Sequence, residues 1–229
     1  MEISNADIRT IKHHFRRLYP KNCKILYISM IGSHIWGLNT NTSDKDFFVI
    51  VQQDTTSILR GEGILPSKFV HDENKNIDIH FHELEKVINQ IIKGNFNFSI
   101  GVLSPIYFQY NFIAAFQLRR IMKKNLSKRV FPSLFGLITH NYKKYILNNH
   151  KKLRKKERQI KRYVYICKYY LRHGEFPFFK VNPDEIGNLE EEINQLPQFL
   201  RTSHLPDEVN EDETREELLR FRMANLSSL

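Results

Sequence analysis

The feature that most constrains the fold is a short polar segment between two strand-like stretches. Residues 24–31 are rich in Ile, Tyr and Leu and predict a strand, which runs directly into Gly32 and Ser33. After ten further residues, Asp44 and Asp46 open a second apolar stretch that also predicts a strand. Residues two apart on a strand point to the same face, so the two carboxylates are expected to lie side by side.

The residue types in this segment suggest how it works. Gly32 lets the backbone adopt a positive φ or approach a ligand closely. The Ser33 hydroxyl and the neighbouring N–H groups can hold phosphate oxygens. Two carboxylates on one exposed face repel each other, and a bound divalent cation removes that cost. Because Mg²⁺ prefers carboxylate oxygens, waters and substrate phosphates, Asp44 and Asp46 predict a metal site.

A third acidic residue is predicted to lie on the same face of the sheet. A strand is predicted over residues 76–81, with apolar side chains on one face and Asp78, His80 and the following His82 on the other. Asp78 can therefore lie beside the first two carboxylates, and three carboxylates can hold two metal ions. The strand phase favours Asp78 over the other acidic residues nearby, which are Asp72, Glu73 and Glu83.

Four residues near these carboxylates have more than one interpretation. His80 and His82 are able to bind metal, but half-exposed strand positions or substrate contacts are favoured because Mg²⁺ prefers oxygen ligands. His34 either touches phosphate or fills the turn. Trp36 either stacks on a base or anchors the loop by packing.

Elsewhere in the first half, the pattern of apolar residues predicts further helices and strands. Helical spacing indicates a helix over 5–18, capped by Asn5, and another over 84–92. The strand that begins with the paired carboxylates is predicted over 44–51. Residues 54–68, which contain two glycines and a proline, are predicted to be loop.

A change in character near Pro105 predicts a domain boundary. Residues 108–172 show long helical patterns in which Leu, Ile, Phe and Tyr occur among Lys and Arg. We therefore expect an α+β protein, with a mixed-sheet domain over 1–105 and a basic helical domain with an acidic tail over 106–229.

The charge of the chain is unevenly distributed. The net charge is +10, and residues 119–172 hold 18 Lys and Arg against a single acid, Glu157. Residues 183–217 hold 12 Asp and Glu against two basic residues. The positive charge favours a polyanionic partner such as nucleic acid, which we expect to bind through 119–172. The alternative is two solvated surfaces that attract each other.

Several classes of protein are disfavoured by the sequence. The N-terminus has no apolar region typical of a secretory signal, and no stretch reaches the roughly 18 apolar residues of a membrane span. Cys23 and Cys167 lie far apart and belong to no CxxC pair, which disfavours a disulfide framework or a structural zinc site. A soluble cytoplasmic protein is expected.

The residues around the paired carboxylates resemble a known family. Gly-Ser, ten residues, Asp-x-Asp and a later strand Asp resemble the signature of the DNA polymerase β-like nucleotidyltransferase superfamily. The chain is most similar to a branch of predicted nucleotidyltransferases, some of them associated with RNA ligases and RNA repair. The resemblance covers residues 24–105 and continues weakly through 155–179. Its motifs here are Trp36-Gly37-Leu38, Thr40, Ser43-Asp44-Lys45-Asp46, Lys93-Gly94-Asn95 and Ser104-Pro105.

The resemblance implies a fold and a reaction. The fold would be a polymerase β-like core, a mixed sheet flanked by helices, followed by a helical domain. The reaction would transfer a nucleoside monophosphate from an NTP such as ATP to an acceptor hydroxyl, with release of pyrophosphate. Mg²⁺ or Mn²⁺, as two ions, would be the cofactor, and an RNA 3′ end is the favoured acceptor.

The resemblance also implies roles for individual residues. Gly32 and Ser33 would bind the triphosphate of the nucleotide. All three carboxylates, those of Asp44, Asp46 and Asp78, would bind metal and belong to the catalytic site. Asp78 would in addition be the base for the acceptor hydroxyl. From the helical half, basic residues such as Lys161 would contact the phosphates.

The chain departs from the branch pattern at two places. The branch often has Arg soon after the second Asp, where this chain has Phe47-Phe48, and Glu where this chain reads Phe98-Ser99-Ile100. These departures leave the acceptor and the nucleotide preference open. Alternatives are a toxin-like enzyme that modifies a protein hydroxyl, an enzyme acting on a small molecule, and an inactive member of the fold that binds nucleic acid.

Overall fold

The computed structural model describes residues 2–110, 112–148 and 154–224, in which helices surround a five-stranded sheet. The strands are β1 (Lys24–Ile31), β2 (Lys45–Gln52), β3 (Lys68–Asp72), β4 (Ile77–Glu83) and β5 (Tyr107–Gln109). The helices are α1 (Asn5–Leu18), α2 (Thr55–Leu59), α3 (Leu84–Ile92), α4 (Phe96–Leu103), α5 (Phe112–Lys124), α6 (Val130–Tyr142), α7 (Arg154–His173), α8 (Leu189–Thr202) and α9 (Glu211–Ala224).

The first helix and the central strands form where the sequence predicts them. α1, β1 and α3 have the predicted bounds, while the ends of β2 and β4 differ from prediction by one or two residues. The N-cap of α1 is Ser4 rather than Asn5, because the side chains of Ser4 and Asp7 form a reciprocal capping box. The predicted loop 54–68 instead contains the short helix α2 and runs into β3.

The sheet is mixed, which confirms the predicted α+β fold class. Its strand order is β3-β4-β2-β1-β5. β2 and β4 run parallel, while the other neighbouring pairs are antiparallel. In the parallel pair Asp46 lies opposite Asp78, so the register brings two of the predicted carboxylates together.

The two faces of the sheet are covered by different helices. On one face Phe81 packs against Phe15 and Tyr19 at the end of α1. On the other face α4 lies over β1 and β2, where the Ser29 hydroxyl donates to the Gly101 carbonyl at 2.6 Å. This second face carries the predicted carboxylates.

The helical half shares a hydrophobic core with the sheet. α6 packs against α7, α7 against α8, and α9 returns to contact α3 and α5. β5 follows Pro105 and completes the sheet, and Arg119 of α5 donates to the carbonyl oxygens of Val102 and Ser104. The division at Pro105 therefore stays a prediction, since the contacts between the two halves are extensive.

The C-terminal helix is tied to the sheet by a buried ion pair. Arg222 of α9 lies 2.6 Å from the Glu83 carboxylate at the end of β4, and both side chains are almost fully buried. Two nitrogens of the Arg222 guanidinium have no hydrogen-bond partner among the described residues. None of the described helices is long and apolar enough to span a membrane.

Candidate metal centre and nucleotide cleft

Three carboxylates meet where the parallel strands β2 and β4 begin. Asp44 precedes β2, Asp46 is the second residue of β2, and Asp78 is the second residue of β4. Ligand oxygens from Asp44, Asp46 and Asp78 all lie within 4.8 Å of one another. An all-carboxylate set of this size suits Mg²⁺ or Mn²⁺, which prefer oxygen ligands.

The electrostatics of this triad favour cation binding. Burial raises the pKa of Asp46 to about 6, and the charges of Asp44 and Asp78 add to the effect. The nearby Arg162 charge acts in the opposite direction. A bound cation would stabilise the ionised carboxylates and remove this cost.

Gly32 is required by the close approach of the Asp46 side chain. Its φ is +72°, a conformation that favours glycine. A Cβ at this position would collide with the Asp46 carboxylate. The turn that follows β1 therefore lies directly against the triad, as the Gly-Ser motif predicts.

The turn after Gly32 is held by packing and by one hydrogen bond. The His34 ring donates from Nε2 to the Asp44 carbonyl at 3.0 Å, so this side chain fills the turn. Trp36 is buried and stacks on Phe178 at a centroid distance of 5.2 Å, so it anchors the loop. The Phe179 N–H donates to the Ile35 carbonyl and fixes the same turn.

His71 is a neighbour of the triad that sequence reasoning missed. It lies opposite Asp78 in the antiparallel pair of β3 and β4, with its Nδ1 2.6 Å from Asp78 Oδ1. This hydrogen bond raises the pKa of His71. Such a bond orients a metal-ligating carboxylate. Residues 68–72 show no regular alternation of apolar and polar residues, so the sequence carries no clear signal for this strand.

A cleft of about 1070 Å³ opens beside the triad. One wall contains Gly32, Ser33, Asp44 and Asp46, and the other is the N-terminal part of α7. The volume is sufficient for a nucleotide. The cations of α7 that line the cleft are Arg154, Lys155, Lys156, Arg158 and Arg162.

The predicted phosphate contact Lys161 points elsewhere on α7. Its Nζ lies 3.5 Å from the Glu157 carboxylate, and it is not among the described residues that line the cleft. Arg158 and Arg162 both line the cleft. The Arg162 charge acts on Asp46, whereas Arg158 also lies 3.6 Å from the Asp184 carboxylate. That Lys161 contacts the phosphates stays a prediction. Of the cations on α7, these two arginines are the ones whose positions on the helix favour a phosphate contact.

The sequence profile of RlaP, the RNA repair pathway DNA polymerase beta family, matches residues 6–227. The chain belongs to the RlaP family. This membership confirms that the protein is a nucleotidyltransferase of polymerase β-like type, as the motifs predicted. Members of such families normally use divalent metals, and the triad provides suitable ligands.

Two further comparisons add little to the RlaP assignment. A comparison with curated proteins finds no significant match. Among solved structures, one that matches is a nucleotidyltransferase-like protein from Exiguobacterium sibiricum 255-15, which is 13% identical. The match covers 94% of this chain and 73% of that chain, with a TM-score of 0.32. At these values the likeness carries no argument about the site.

The other acidic residues considered for this RlaP site have different partners. Asp72 lies 3.1 Å from His14 of α1. Glu83 is buried against Arg222. Glu73 is exposed in the turn between β3 and β4. Of the four candidates, Asp78 is the one that the structure brings to the first two carboxylates.

The two departures from the branch pattern meet in one cluster. The Phe48 ring lies 5.5 Å from the Phe98 ring, and the His82 ring lies within 5 Å of both. His82 also contacts the Ser67 hydroxyl at 2.7 Å, and burial lowers its pKa to about 4. His80 and His82 therefore lie outside the carboxylate cluster.

The acidic segment pairs with part of the basic segment in this RlaP member. Lys124 contacts Glu213 and Glu217, and Lys128 contacts Asp207. These contacts favour mutual attraction of the two segments for part of 119–172. Residues 149–153 of the predicted nucleic-acid contact lie outside the described residues.

Proposed function

We propose that the protein transfers a nucleoside monophosphate from an NTP to the 3′-terminal hydroxyl of an RNA, with Mg²⁺ or Mn²⁺ at the carboxylate triad. The observation that carries the proposal is the cleft itself. Asp44 and Asp46 face five cations across a space that fits a nucleotide. Metal ions beside the carboxylates and cations on α7 would together neutralise a triphosphate.

The proposed reaction is a displacement at the α-phosphorus. The acceptor oxygen bonds to that phosphorus, the bond to the bridging oxygen breaks, and pyrophosphate leaves. Asp78 takes the hydroxyl proton, and His71 holds the Asp78 carboxylate in position. Arg158 and Arg162 bind the phosphates and keep the leaving group in place. When bound, the divalent ions supply the remaining charge neutralisation.

An RNA acceptor is supported by two independent observations. The profile that matches the chain describes an RNA repair pathway family. The net charge of +10 favours a polyanion, and α7 brings cations to the same cleft as the carboxylates. A cationic small molecule is less well supported, since described acids such as Glu213 and Glu217 pair with the chain's own lysines.

The direct experiment is transfer from each α-labelled NTP, with Mg²⁺ or Mn²⁺, onto total RNA and total protein. We expect label on RNA that is lost in the double variant Asp44→Asn/Asp46→Asn. The matched control is Asp207→Asn/Asp212→Asn, which removes two exposed carboxylates from the acidic segment and should retain transfer.

Each outcome of this experiment has a distinct meaning. Label on protein instead of RNA would make the acceptor a protein hydroxyl. Label on RNA that survives the loss of both carboxylates would contradict the assigned site. No label on any acceptor, together with RNA binding that needs no metal, would make the protein a binder that has lost transfer.

A further inference from the structure

On the face of the sheet that carries the triad, side chains are exposed at β3. β3 is an edge strand that pairs with β4, whereas α4 covers the same face over β1 and β2. Phe69 of β3 points to this side with 57% of its surface exposed. On β3 this phenylalanine lies two residues from His71, which is directly opposite Asp78.

Four rings follow one another across this face and are called here the ring row. Phe69 and His80, directly opposite each other on β3 and β4, have ring centroids 4.8 Å apart. His80 and His82 are separated by 6.4 Å, and His82 and Phe98 by 4.7 Å.

The ring row begins next to Asp78. His80 is two residues beyond Asp78 on the same strand and face, which is about 7 Å along β4. The nucleotide cleft is lined by Asp44 and Asp46, and Asp78 is not among its described lining residues. A group bound on the ring row would therefore approach Asp78 along β4, from outside the described lining of the cleft.

We propose that the ring row binds the terminal nucleobase of a single-stranded nucleic-acid acceptor, with Phe69 and His80 as its stacking surface. This inference rests on the proposed function and names the acceptor subsite. Rings stack on any nucleobase, since every base has a π-face, which suits an end that varies in sequence. Lys86 lies close enough to His82 for its charge to act on it, and supplies a cation for the acceptor backbone.

The chemistry of the row favours a nucleic acid over a protein partner. The row offers ring faces beside a carboxylate that needs a hydroxyl within reach. The terminal nucleotide of an RNA brings both features, a flat ring and a hydroxyl on the attached sugar. The side chain of serine or threonine brings a hydroxyl without a flat ring.

The test uses short single-stranded RNA that carries the fluorescent base 2-aminopurine either at its 3′ end or at an internal position. Stacking quenches this base. We expect the terminal probe to be quenched on binding to the full-length protein and the internal probe to be quenched less. Phe69→Leu should remove the quenching and weaken binding about tenfold, and Phe69→Tyr should retain both.

The matched control is Phe112→Leu. Phe112 is a phenylalanine with 67% exposure that begins α5, next to β5 at the opposite edge of the sheet. It should leave quenching and affinity unchanged. In transfer assays, Phe69→Leu should raise the KM for RNA about tenfold, with the KM for NTP unaltered.

Equal quenching of terminal and internal probes, or quenching that Phe69→Leu leaves intact, would overturn the ring row as the acceptor subsite. The transfer assay tests the proposed function separately. Transfer onto RNA without Phe69-dependent quenching would keep the proposed function and reject the subsite. Quenching that depends on Phe69, with no transfer from any NTP, would keep the subsite and reject the proposed function.

Discussion

Two basic regions of the molecule have similar composition but different surroundings. The cations of residues 120–129 face the acidic segment, where Arg120 and Lys124 share the Glu217 carboxylate. The cations at the start of α7 face the carboxylate triad across the cleft. Among the described residues, no acidic side chain forms an ion pair with Arg162.

The difference shows that a run of basic residues has no single role. In 120–129, four of the five cations form ion pairs with acids of the same chain, and exposed pairs of this kind contribute little stability each. At the start of α7 the positive charge lies near carboxylates that themselves need a cation, so triphosphate and metal can satisfy both sides. The position in the fold, rather than the density of charge, separates the cations proposed to bind phosphate from those in ion pairs.

The largest effect is expected from the acids that face α7. Asp46→Asn should lower transfer by more than about a hundredfold, because even groups that only support metal ligands contribute 10–100-fold. It should also weaken metal-dependent NTP binding. Asp78→Asn should lower kcat to a similar extent and affect NTP binding less, because Asp44 and Asp46 line the cleft and Asp78 is not among its described lining residues. Steady-state kinetics and equilibrium binding would distinguish the two variants.

A large loss of stability, with no change in the cleft, is expected when the buried Arg222 near the end of α9 is replaced. Arg222→Met would leave the Glu83 carboxylate buried without its partner and should lower the free energy of unfolding by about 3 kcal/mol. Chemical denaturation would measure the loss. The KM for NTP of the folded fraction should stay unchanged, and an altered KM would show that α9 also shapes the cleft.

An intermediate effect, on the KM for NTP, is expected when one cation of each basic region is replaced. Arg162→Gln should raise the KM for NTP about tenfold, since charge-assisted contacts in a partly buried site are stronger than neutral ones. Lys124→Gln is the matched control in the paired region and should leave the KM unchanged. Equal effects of the two substitutions on the KM would remove the distinction between the regions.

The smallest effect is a gain in stability that depends on pH and metal. The pKa of Asp46, about 6 in the folded protein, lies above its usual value of 3.8, so the folded state loses stability as pH rises between these values. Asp46→Asn should therefore stabilise the metal-free protein by about 1 kcal/mol at pH 7.5, after allowance for solvent screening, and by nothing near pH 4. Thermal unfolding across this pH range, with and without Mg²⁺, would measure it.

The sign of this gain should reverse when metal is added. Mg²⁺ stabilises the folded wild-type protein by binding the carboxylates, and the Asn variant lacks one of them. A variant that is less stable than the wild type at every pH without metal would show that the three carboxylates do not repel each other.

The central strands and the triad could be predicted because their signals are local. Asp44 and Asp46 share a face by strand phase, and the alternation of 76–81 places Asp78 on the polar side. That β2 and β4 are parallel neighbours is a property of the whole sheet, and only the observed register puts Asp46 opposite Asp78. The predicted grouping of these residues depends on the strand order β3-β4-β2-β1-β5, which no local pattern specifies.

Elements with weak local patterns were missed. β3 is a short edge strand in which His71 and Phe69 face the exposed side, so it lacks a simple alternation of apolar and polar residues. α4 carries apolar residues around most of its circumference because it is buried between the sheet and the helical half, and such a helix has no clear period. The three residues of β5 are too few to give a pattern.

Details of the site depend on distant contacts. The sequence suggests that α7 supplies phosphate-binding cations, but which face of the helix meets the triad is decided by its packing on α6 and α8. That packing turns Arg162 toward the cleft and leaves Lys161 beside Glu157. The hydrogen bond from His34 to the Asp44 carbonyl likewise joins residues whose relative position only the folded turn defines.

The most direct test of the central claim is the binding of Mn²⁺ together with an NTP analogue that cannot be cleaved between its α- and β-phosphates. Electron paramagnetic resonance of Mn²⁺ would be measured for the wild type, Asp46→Asn, Arg162→Gln and Lys124→Gln. The account predicts that metal and nucleotide each strengthen the binding of the other, that Asp46→Asn abolishes this coupling, and that Arg162→Gln weakens it while Lys124→Gln does not. Nucleotide binding that is independent of metal, or Mn²⁺ binding that Asp46→Asn leaves unchanged, would contradict it.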